Sequence, residues 1–169
     1  MQRKVLAGTL AVIGLGVGWF LFRPERLFID ARVDERFPAA AAVGGAATTG
    51  QVLAQGQFHG VAHGGKGTAR VHRLDDGRRI LRLTEFETSN GPELQVYLVA
   101  ARDAADSASV TDAGFVSLGA LKGNVGDQNY EVPSDVDLGT YQAVTIWCRR
   151  FGVNFTTAPL AALETSRAG

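Results

Sequence analysis

The sequence predicts an all-β fold, an antiparallel β-sandwich or barrel-like body preceded by one N-terminal transmembrane helix. Residues 51–161 divide into short runs rich in β-branched and aromatic residues, and glycine, asparagine and aspartate separate these runs. The 21 glycines and the scarcity of long apolar periodic runs favour strands over helices in this region. Residues 5–22, by contrast, carry no charge and are long enough to cross a bilayer as a helix.

Eight strands are predicted in the body. They lie at 52–58, 68–74, 78–86, 93–99, 115–118, 128–132, 142–148 and 153–156. The Asp75-Asp76-Gly77 turn predicts a hairpin between the second and third strands, because Asp-Gly pairs favour tight turns. Residues 101–113 are small and polar, which predicts an exposed loop or one weak helical turn.

The apolar run begins at Val5 and ends at Phe22. As a helix, its 18 residues rise about 27 Å, close to the roughly 30 Å thickness of a bilayer core. No small-x-small cleavage site follows the run, so we predict an uncleaved, single-pass signal-anchor and not a removed signal peptide. Gly14 and Gly18 form a small-xxx-small pair through which two such helices could pack as a homodimer.

The resulting layout has five parts. These are an N-terminal tail (1–4), the anchor (5–22), a juxtamembrane segment with a linker (23–50), the β body (51–161) and a C-terminal tail (162–169). The juxtamembrane segment mixes charges with apolar anchors and is expected to pack on the body, whereas 39–50 has the composition of a flexible linker. We place the body outside the cytoplasm, because a basic pair before an apolar run resembles an export signal.

Charge and cysteine content exclude several classes of protein and site. The 17 basic and 17 acidic residues give a formal charge of zero, which argues against nucleic-acid binding. A single cysteine excludes an internal disulfide and a zinc site with several cysteines. The G-x-S-x-G, phosphate-loop and H-E-x-x-H motifs are absent, so the sequence assigns no enzyme activity.

The three histidines do not predict a metal site. His59 and His63 lie among glycines that disfavour a helix, and on an extended strand they would be roughly 13 Å apart. Surface loop positions are therefore expected for both. His72 alternates with Arg70 on the second predicted strand, which predicts a solvated face for its ring.

Residues 141–157 contain the one cysteine, Cys148, on a predicted strand. Strand alternation places Cys148 on the same inward face as Val144 and Ile146. Arg150 has the same parity, and an unpaired arginine is rarely buried, so the core is expected to reach its rim near Cys148. A partly shielded thiol is therefore predicted, with Arg150 favouring its thiolate. A reactive or ligating thiol and an inert packed thiol both remain open.

Five segments together resemble one known domain family. They are GQFHG at 56–60, GTARV at 67–71, SNGPELQVYL at 89–98, LGALKGNVGDQNYEVP at 118–133 and YQAVTIWCRRFGVNFTTAPL at 141–160. The body is similar to the DM-thirteen domain, a family described as an electron-transfer module and found beside DOMON domains in animal cell-surface proteins. The segments span almost the whole body, and their combination makes the resemblance specific.

The resemblance implies a role for the cysteine. By motif position the family's hallmark cysteine is Cys148, proposed to act as a free redox thiol or to hold a prosthetic group such as haem. The absence of a C-x-x-C-H motif excludes covalent haem attachment. The chain resembles the family's membrane-tethered bacterial form, whose redox partner would be a separate protein. Two functions follow as expectations: a tethered redox module centred on Cys148, or a non-catalytic ligand-binding or structural β-sandwich with a core cysteine.

Overall fold

A computed structural model describes residues 14, 16–17, 29–38 and 50–163. The residues 39–49 of the predicted linker and the tail 164–169 lie outside the described residues. Most of the predicted anchor, including Gly18, also lies outside them, and the three residues described there are helical. Within the described part of the chain, no helix is long and apolar enough to span a membrane. The transmembrane helix, its topology and its self-association therefore stay predictions.

Two antiparallel sheets make up the described body. The elements are β1 (Gln51–Gln57), β2 (His59–Gly60), β3 (Gly65–Arg73), β4 (Arg79–Thr88), β5 (Leu94–Val99), α1 (Ser107–Ala113), β6 (Phe115–Ala120), β7 (Val125–Val132), β8 (Ala143–Cys148), β9 (Val153–Pro159) and β10 (Ala161–Ala162). Sheet 1 has the order β10-β1-β3-β4-β7, and sheet 2 has the order β2-β9-β8-β5-β6. All pairings between these strands are antiparallel. This two-sheet arrangement confirms the predicted antiparallel β-sandwich.

Each of the eight predicted strands corresponds to an observed strand, with boundaries that differ by no more than three residues. The two-residue strands β2 and β10 were not predicted, because two residues carry no alternation. The predicted turn between β3 and β4 is present. Leu74 N donates to Arg78 O at 2.8 Å, and Gly77 adopts φ 87°, a left-handed conformation that suits glycine.

The main core lies between the two sheets. Sheet 1 contributes Val71, Leu81 and Leu83, and sheet 2 contributes Val96 and Leu98, all fully buried. Alternate residues of each strand face this core, as the two-residue period of a strand requires. Burial of each such side chain stabilises the fold by about 1.5–3 kcal/mol, so this layer holds the two sheets together.

The connection between β5 and β6 covers the outer face of sheet 2. Its helix α1 follows Asp106, whose carboxylate accepts a hydrogen bond from Ser109 N at 2.7 Å. Ala104 and Val110 are fully buried in one cluster with Trp147. The prediction of an exposed segment with a weak helical turn holds for most of residues 101–113, but it missed that Ala104 and Val110 are buried against the sheet. Isolated small apolar residues between polar ones produce no periodic signal that would reveal such a cover.

Residues 31–38, which we call the strap, lie along β7 at the edge of sheet 1. A parallel bridge joins the two segments. Val33 N donates to Val125 O, and Glu35 N donates to Asp127 O, each at 2.9 Å. The strap belongs to the same compact unit as the sheets. It is the part of the predicted juxtamembrane segment that was expected to pack on the body.

The Glu35 side chain fastens the strap to sheet 1. Its carboxylate accepts hydrogen bonds from Lys122 Nζ at 2.7 Å and from Asn129 N at 2.8 Å. Arg82 donates to the Glu35 carbonyl oxygen at 2.6 Å. Burial alone raises the pKa of Glu35, but the bonds from Lys122 and Asn129 outweigh burial and leave the pKa below its ordinary value of 4.5. The carboxylate is therefore held in its charged form.

The His72 ring is buried, with 8% of the residue exposed. Phe37 of the strap lies against it, with ring centroids 4.7 Å apart and planes tilted by 55°. The predicted solvated face is therefore wrong. A segment distant in sequence contacts this part of sheet 1, and strand alternation alone cannot reveal such a contact.

Candidate redox site

Strand β8 is the central strand of sheet 2, between β9 and β5. All of its six residues are buried. Val144, Ile146 and Cys148 belong to the core between the sheets, whereas Trp147 belongs to the cluster beneath α1. The alternation predicted for this strand is confirmed, and it places the cysteine on the inner face.

Cys148 is completely buried at the last position of β8. Its Sγ donates a hydrogen bond to the carbonyl oxygen of Pro92, 3.1 Å away, in the segment before β5. Only a protonated thiol can make this contact. The expected partial shielding is wrong, because the strand ends at Cys148 and Arg150 lies in the turn that follows. The core does end between Cys148 and the exposed Arg150, as predicted, but the sulfur lies wholly on the buried side of that border.

The turn after Cys148 is exposed and is closed by a hydrogen bond from Gly152 N to Cys148 O at 2.9 Å. Arg149 Nε lies 3.2 Å from Glu93 Oε2, and both side chains are largely solvent-accessible. Arg150 is exposed and, among the described residues, forms no hydrogen bond with Sγ. The two predicted site residues are therefore close in sequence, but in the described part of the chain no side-chain hydrogen bond connects them.

His59 and His63 are exposed, as predicted, and have separate partners. His59 Nε2 lies 3.0 Å from a carboxylate oxygen of Asp103. The ring centroid of His63 lies 3.9 Å from that of Phe155. In the described part of the chain, no group of three or more His, Cys, Asp or Glu side chains could hold a metal ion.

A haem ligated through Cys148 does not fit the residues around the sulfur. Axial ligation needs a sulfur that faces a cavity wide enough for iron and porphyrin, but this Sγ is completely buried and bonded to Pro92 O. A cavity of about 600 Å³ crosses sheet 1 and the strap. Charged side chains such as Asp34, Lys66 and Glu85 line it, and Cys148 is not among them. The geometry therefore gives no support to a prosthetic group on Cys148.

Three rings that the sequence did not single out form a row across the outer face of sheet 2. Tyr97 stacks on Phe115, with ring centroids 4.2 Å apart and 5° between the planes. On its other side it stacks on Trp147, with centroids 6.4 Å apart and 25° between the planes. We call these three residues the aromatic row.

The aromatic row runs from the interior to the surface. Trp147 and Tyr97 are 7% and 5% exposed, whereas Phe115 is 44% exposed. Burial raises the pKa of the Tyr97 phenol, and the nearby Arg149 charge opposes this only in part. The sequence contained part of the information needed to predict the row, because all three residues lie on predicted strands. Their contact depends on the strand order β8-β5-β6, which the sequence does not show.

A family model matches most of the strand-bearing body. Residues 57–160, more than half of the 169-residue chain, match the family described as Electron transfer DM13. The matched range includes Cys148, Pro92 and the whole aromatic row. Comparisons with the curated proteins and with the solved structures gave no match. The resemblance of the body is thus confirmed by an independent comparison, and the chain belongs to the electron-transfer DM13 family.

Proposed function

We propose that this protein is an electron-transfer domain, tethered outside the cytoplasm by a membrane helix at 5–22, with Cys148 as its redox centre. The family match over residues 57–160 carries the proposal, because electron transfer is the description of that family. Cys148 is the one cysteine of the chain and ends the central strand of sheet 2. The redox partner is a separate protein.

Because the chain has a single thiol, its redox chemistry requires a specific reactive group on the partner protein. One cysteine cannot form a disulfide within its own chain, so the exchange needs a disulfide on the second protein. Cys148 gives its proton to water, and its sulfur attacks one sulfur of the partner's disulfide. A new S–S bond forms and the partner's own S–S bond breaks. The second partner sulfur leaves as a thiolate with the bonding electron pair.

Access to Cys148 requires a local opening of the protein. The sulfur is completely buried, and the exposed turn 149–152 follows it directly. Opening that turn breaks the bond from Gly152 N to Cys148 O, and freeing the thiol breaks its bond to Pro92 O. Local openings of this kind occur with a free-energy cost below that of global unfolding. The thiol is therefore expected to react slowly but not to be inert.

Thiol reactivity in the full chain tests the proposal. The folded protein in detergent is treated with a small maleimide and, separately, with oxidised glutathione, and intact mass reports modification of Cys148. We expect modification that is slower than in urea but goes to completion, and a mixed disulfide with glutathione that a reductant reverses. Cys148→Ser is the control and is expected to show neither product. A folded protein whose thiol never reacts would exclude Cys148 as the redox centre.

One observation favours a second function, a structural or ligand-binding β-sandwich with a packed cysteine. Cys148 is completely buried in the main core, and its thiol donates to Pro92 O. Under this function the thiol stays silent in the folded protein, and Cys148→Ala lowers the free energy of unfolding because packing and a hydrogen bond are lost. Reactivity of the thiol in the folded protein therefore separates the two functions, whereas the loss in the free energy of unfolding is expected under both.

A further inference from the structure

One end of the sandwich holds both Cys148 and the point where the chain enters the body. Strand β8 ends there and β5 begins there, because Leu94 pairs with Cys148. Leu121 N donates to Leu94 O at 2.9 Å, so the connection from β6 to β7 lies there as well. Val125 N, at the start of β7, donates to Ala31 O at 3.3 Å, which places the start of the strap at this end. We call it the Cys148 end and the opposite one the far end.

The chain before the strap limits the distance between the Cys148 end and the predicted anchor. Phe22 is the last residue of the predicted membrane helix, and Ala31 lies nine residues further on. In any conformation this stretch spans at most about 32 Å. The strand β4 has 10 residues and is about 33 Å long. A body with its far end on the membrane would need this stretch extended to its limit, so its length favours a Cys148 end that faces the membrane.

The turn 149–152 is exposed at the Cys148 end. Phe151 is 67% exposed, the highest value among the large apolar side chains of the described residues. Arg149 and Arg150 precede it, and both are exposed. Arg149 Nε lies 3.2 Å from a carboxylate oxygen of Glu93, whereas Arg150 forms no side-chain hydrogen bond or ion pair with any described residue. The turn therefore presents an apolar ring and an unpaired cation to its surroundings.

The connections at the two ends differ in charge. At the Cys148 end, the connections 61–64, 89–93, 121–124 and 149–152 contain three basic residues and one acidic residue, which are Lys122, Arg149, Arg150 and Glu93. At the far end, the connections 74–78 and 133–142 contain one basic residue and four acidic residues, which are Arg78, Asp75, Asp76, Asp135 and Asp137. The connection that contains α1 lies over the outer face of sheet 2 and belongs to neither end. The loops of the Cys148 end are thus net positive, and those of the far end are net negative.

We propose that the Cys148 end faces the membrane and that the turn 149–152 lies in the headgroup layer of anionic phospholipids. The Phe151 ring enters the boundary between headgroups and acyl chains, where burial of apolar surface is favourable. Arg150 lies beside lipid phosphates, whose geometry suits the planar guanidinium group. Each basic residue near an anionic surface favours the contact about fivefold. The inference rests on the proposed membrane tether and does not depend on redox chemistry at Cys148.

A contact of this size is sufficient because the predicted helix already holds the body near the bilayer. Two membrane contacts on one chain act as a bivalent pair, in which the second meets its partner at a high effective concentration. One ring and one or two arginines therefore orient a tethered body, although they would bind a free one weakly. Cys148 is the residue that precedes the turn, so the disulfide partner proposed above is expected at the membrane surface.

Tryptophan fluorescence of the full chain in vesicles tests this orientation. Trp19→Phe leaves Trp147 as the single native tryptophan, since the chain has two, and this protein is the reference. Phe151→Trp adds a probe in the turn, and Ser134→Trp adds the matched probe at an exposed position of the far end. Each protein is reconstituted in vesicles of phosphatidylcholine and phosphatidylglycerol, with and without a lipid that carries a nitroxide quencher on its headgroup.

After subtraction of the reference, we expect the nitroxide lipid to quench the probe at position 151 and to leave the probe at position 134 unchanged. Quenching at 151 should weaken in phosphatidylcholine alone and at high salt, because salt screens the attraction between arginine and phosphate. Arg150→Gln is expected to lower the ratio of contacting to free bodies about fivefold. Arg73→Gln, which alters an exposed arginine where β3 ends at the far end, is the matched control and should leave the ratio unchanged.

Vesicle flotation separates failure of this inference from failure of the proposed tether. A chain that floats with the vesicles but shows equal quenching at both positions would overturn the orientation, leave the tether intact and free the turn for a partner protein. Stronger quenching at position 134 would place the far end on the membrane. Quenching at 151 that ignores both anionic lipid and Arg150→Gln would overturn the role of the arginine. A chain that does not float would overturn the tether and this inference together.

Discussion

The Cys148 thiol donates a hydrogen bond to the carbonyl oxygen of Pro92 across 3.1 Å and 56 positions of sequence. This hydrogen bond connects the end of β8 to the segment that leads into β5. Leu94, the first residue of β5, pairs with Cys148 in the strand register. The sulfur therefore lies inside a junction between two central strands. Under the proposed function, this junction has to open before the thiol can react.

Substitution of Cys148 measures how strongly the sulfur is packed. Cys148→Ala removes both the buried sulfur and its hydrogen bond, and we expect a loss of about 1–2 kcal/mol in the free energy of unfolding. Cys148→Ser keeps a donor toward Pro92 but buries a hydroxyl, and we expect a loss of about 1 kcal/mol. Urea unfolding of the full chain measures both values. Losses below the error of the measurement would show that the sulfur is not packed in solution.

The lowered pKa of Glu35 predicts that the free energy of unfolding depends on pH. Bonds from Lys122 and Asn129 keep the pKa of folded Glu35 below its ordinary value of 4.5. A carboxyl group with a depressed pKa stabilises the folded state above its unfolded pKa, and this contribution is lost as the pH falls through the lower folded pKa. Glu35→Gln is therefore expected to cost about 1 kcal/mol at neutral pH and progressively less below about pH 4.5.

Urea unfolding of both proteins between neutral and acidic pH checks this expectation. Glu131→Gln serves as the control, because Glu131 is an exposed carboxylate on the same edge strand, β7. It should change stability little at either pH. A difference between Glu35→Gln and the parent that does not shrink in acid would contradict the role of the charged carboxylate.

Because α1 packs on sheet 2, we expect a substitution at its buried position to lower the free energy of unfolding, which the sequence alone would not suggest. Val110 is fully buried against the outer face of sheet 2. Val110→Ala removes two methyl groups from this contact, and we expect a loss of about 2 kcal/mol in the free energy of unfolding. Thr111→Ala, at the next and exposed position of the helix, is the control and should cost much less. Equal effects would mean that α1 does not pack on the sheet.

A matched pair of glycines tests whether the strap is held against β7. Gly126 and Gly119 both adopt left-handed conformations, with φ 104° and φ 113°. A Cβ at Gly126 would overlap with the carbonyl oxygen of Val33 in the strap, whereas among the described residues nothing lies within 4 Å of a Cβ at Gly119. Both substitutions to alanine strain the backbone, so their difference reports the overlap alone.

We expect Gly126→Ala to cost at least about 1 kcal/mol more than Gly119→Ala. Urea unfolding gives the two costs, and hydrogen exchange of the Val33 and Glu35 amides shows whether the strap has detached. Those amides donate to β7 in the folded protein, so their exchange should accelerate in Gly126→Ala alone. Similar costs and similar exchange in both variants would argue against a fixed strap.

The proposed topology makes a prediction for reporter fusions. A reporter enzyme that is active only after export, fused after Gly169, is expected to be active, because the run at 5–22 resembles an uncleaved export signal. Deletion of 5–22 is the control and should abolish that activity. A silent export reporter combined with an active cytoplasmic reporter would place the body on the inner side of the membrane.

Local patterns explain why so much of the sandwich could be predicted. Strand alternation depends only on neighbouring residues, so the inward face of Val144, Ile146 and Cys148 followed from their spacing. The turn at Asp75–Gly77 could also be predicted, because it depends only on the backbone preferences of the glycine and aspartate within it. The errors share one cause. His72, Cys148 and Val110 are each buried by partners that lie far away in sequence.

The sequence by itself determined the all-β class, the positions of eight strands and the family, because each depends on residue types at short spacing or in ordered motifs. Three contacts were decided only by the tertiary structure. The thiol of Cys148 donates a hydrogen bond to Pro92 O, and Phe37 of the strap packs on the His72 ring. Tyr97 stacks between Trp147 and Phe115. These contacts depend on which strands become neighbours and on how loops close over them. Strand order is set by packing of the whole core, and no short stretch of sequence contains it.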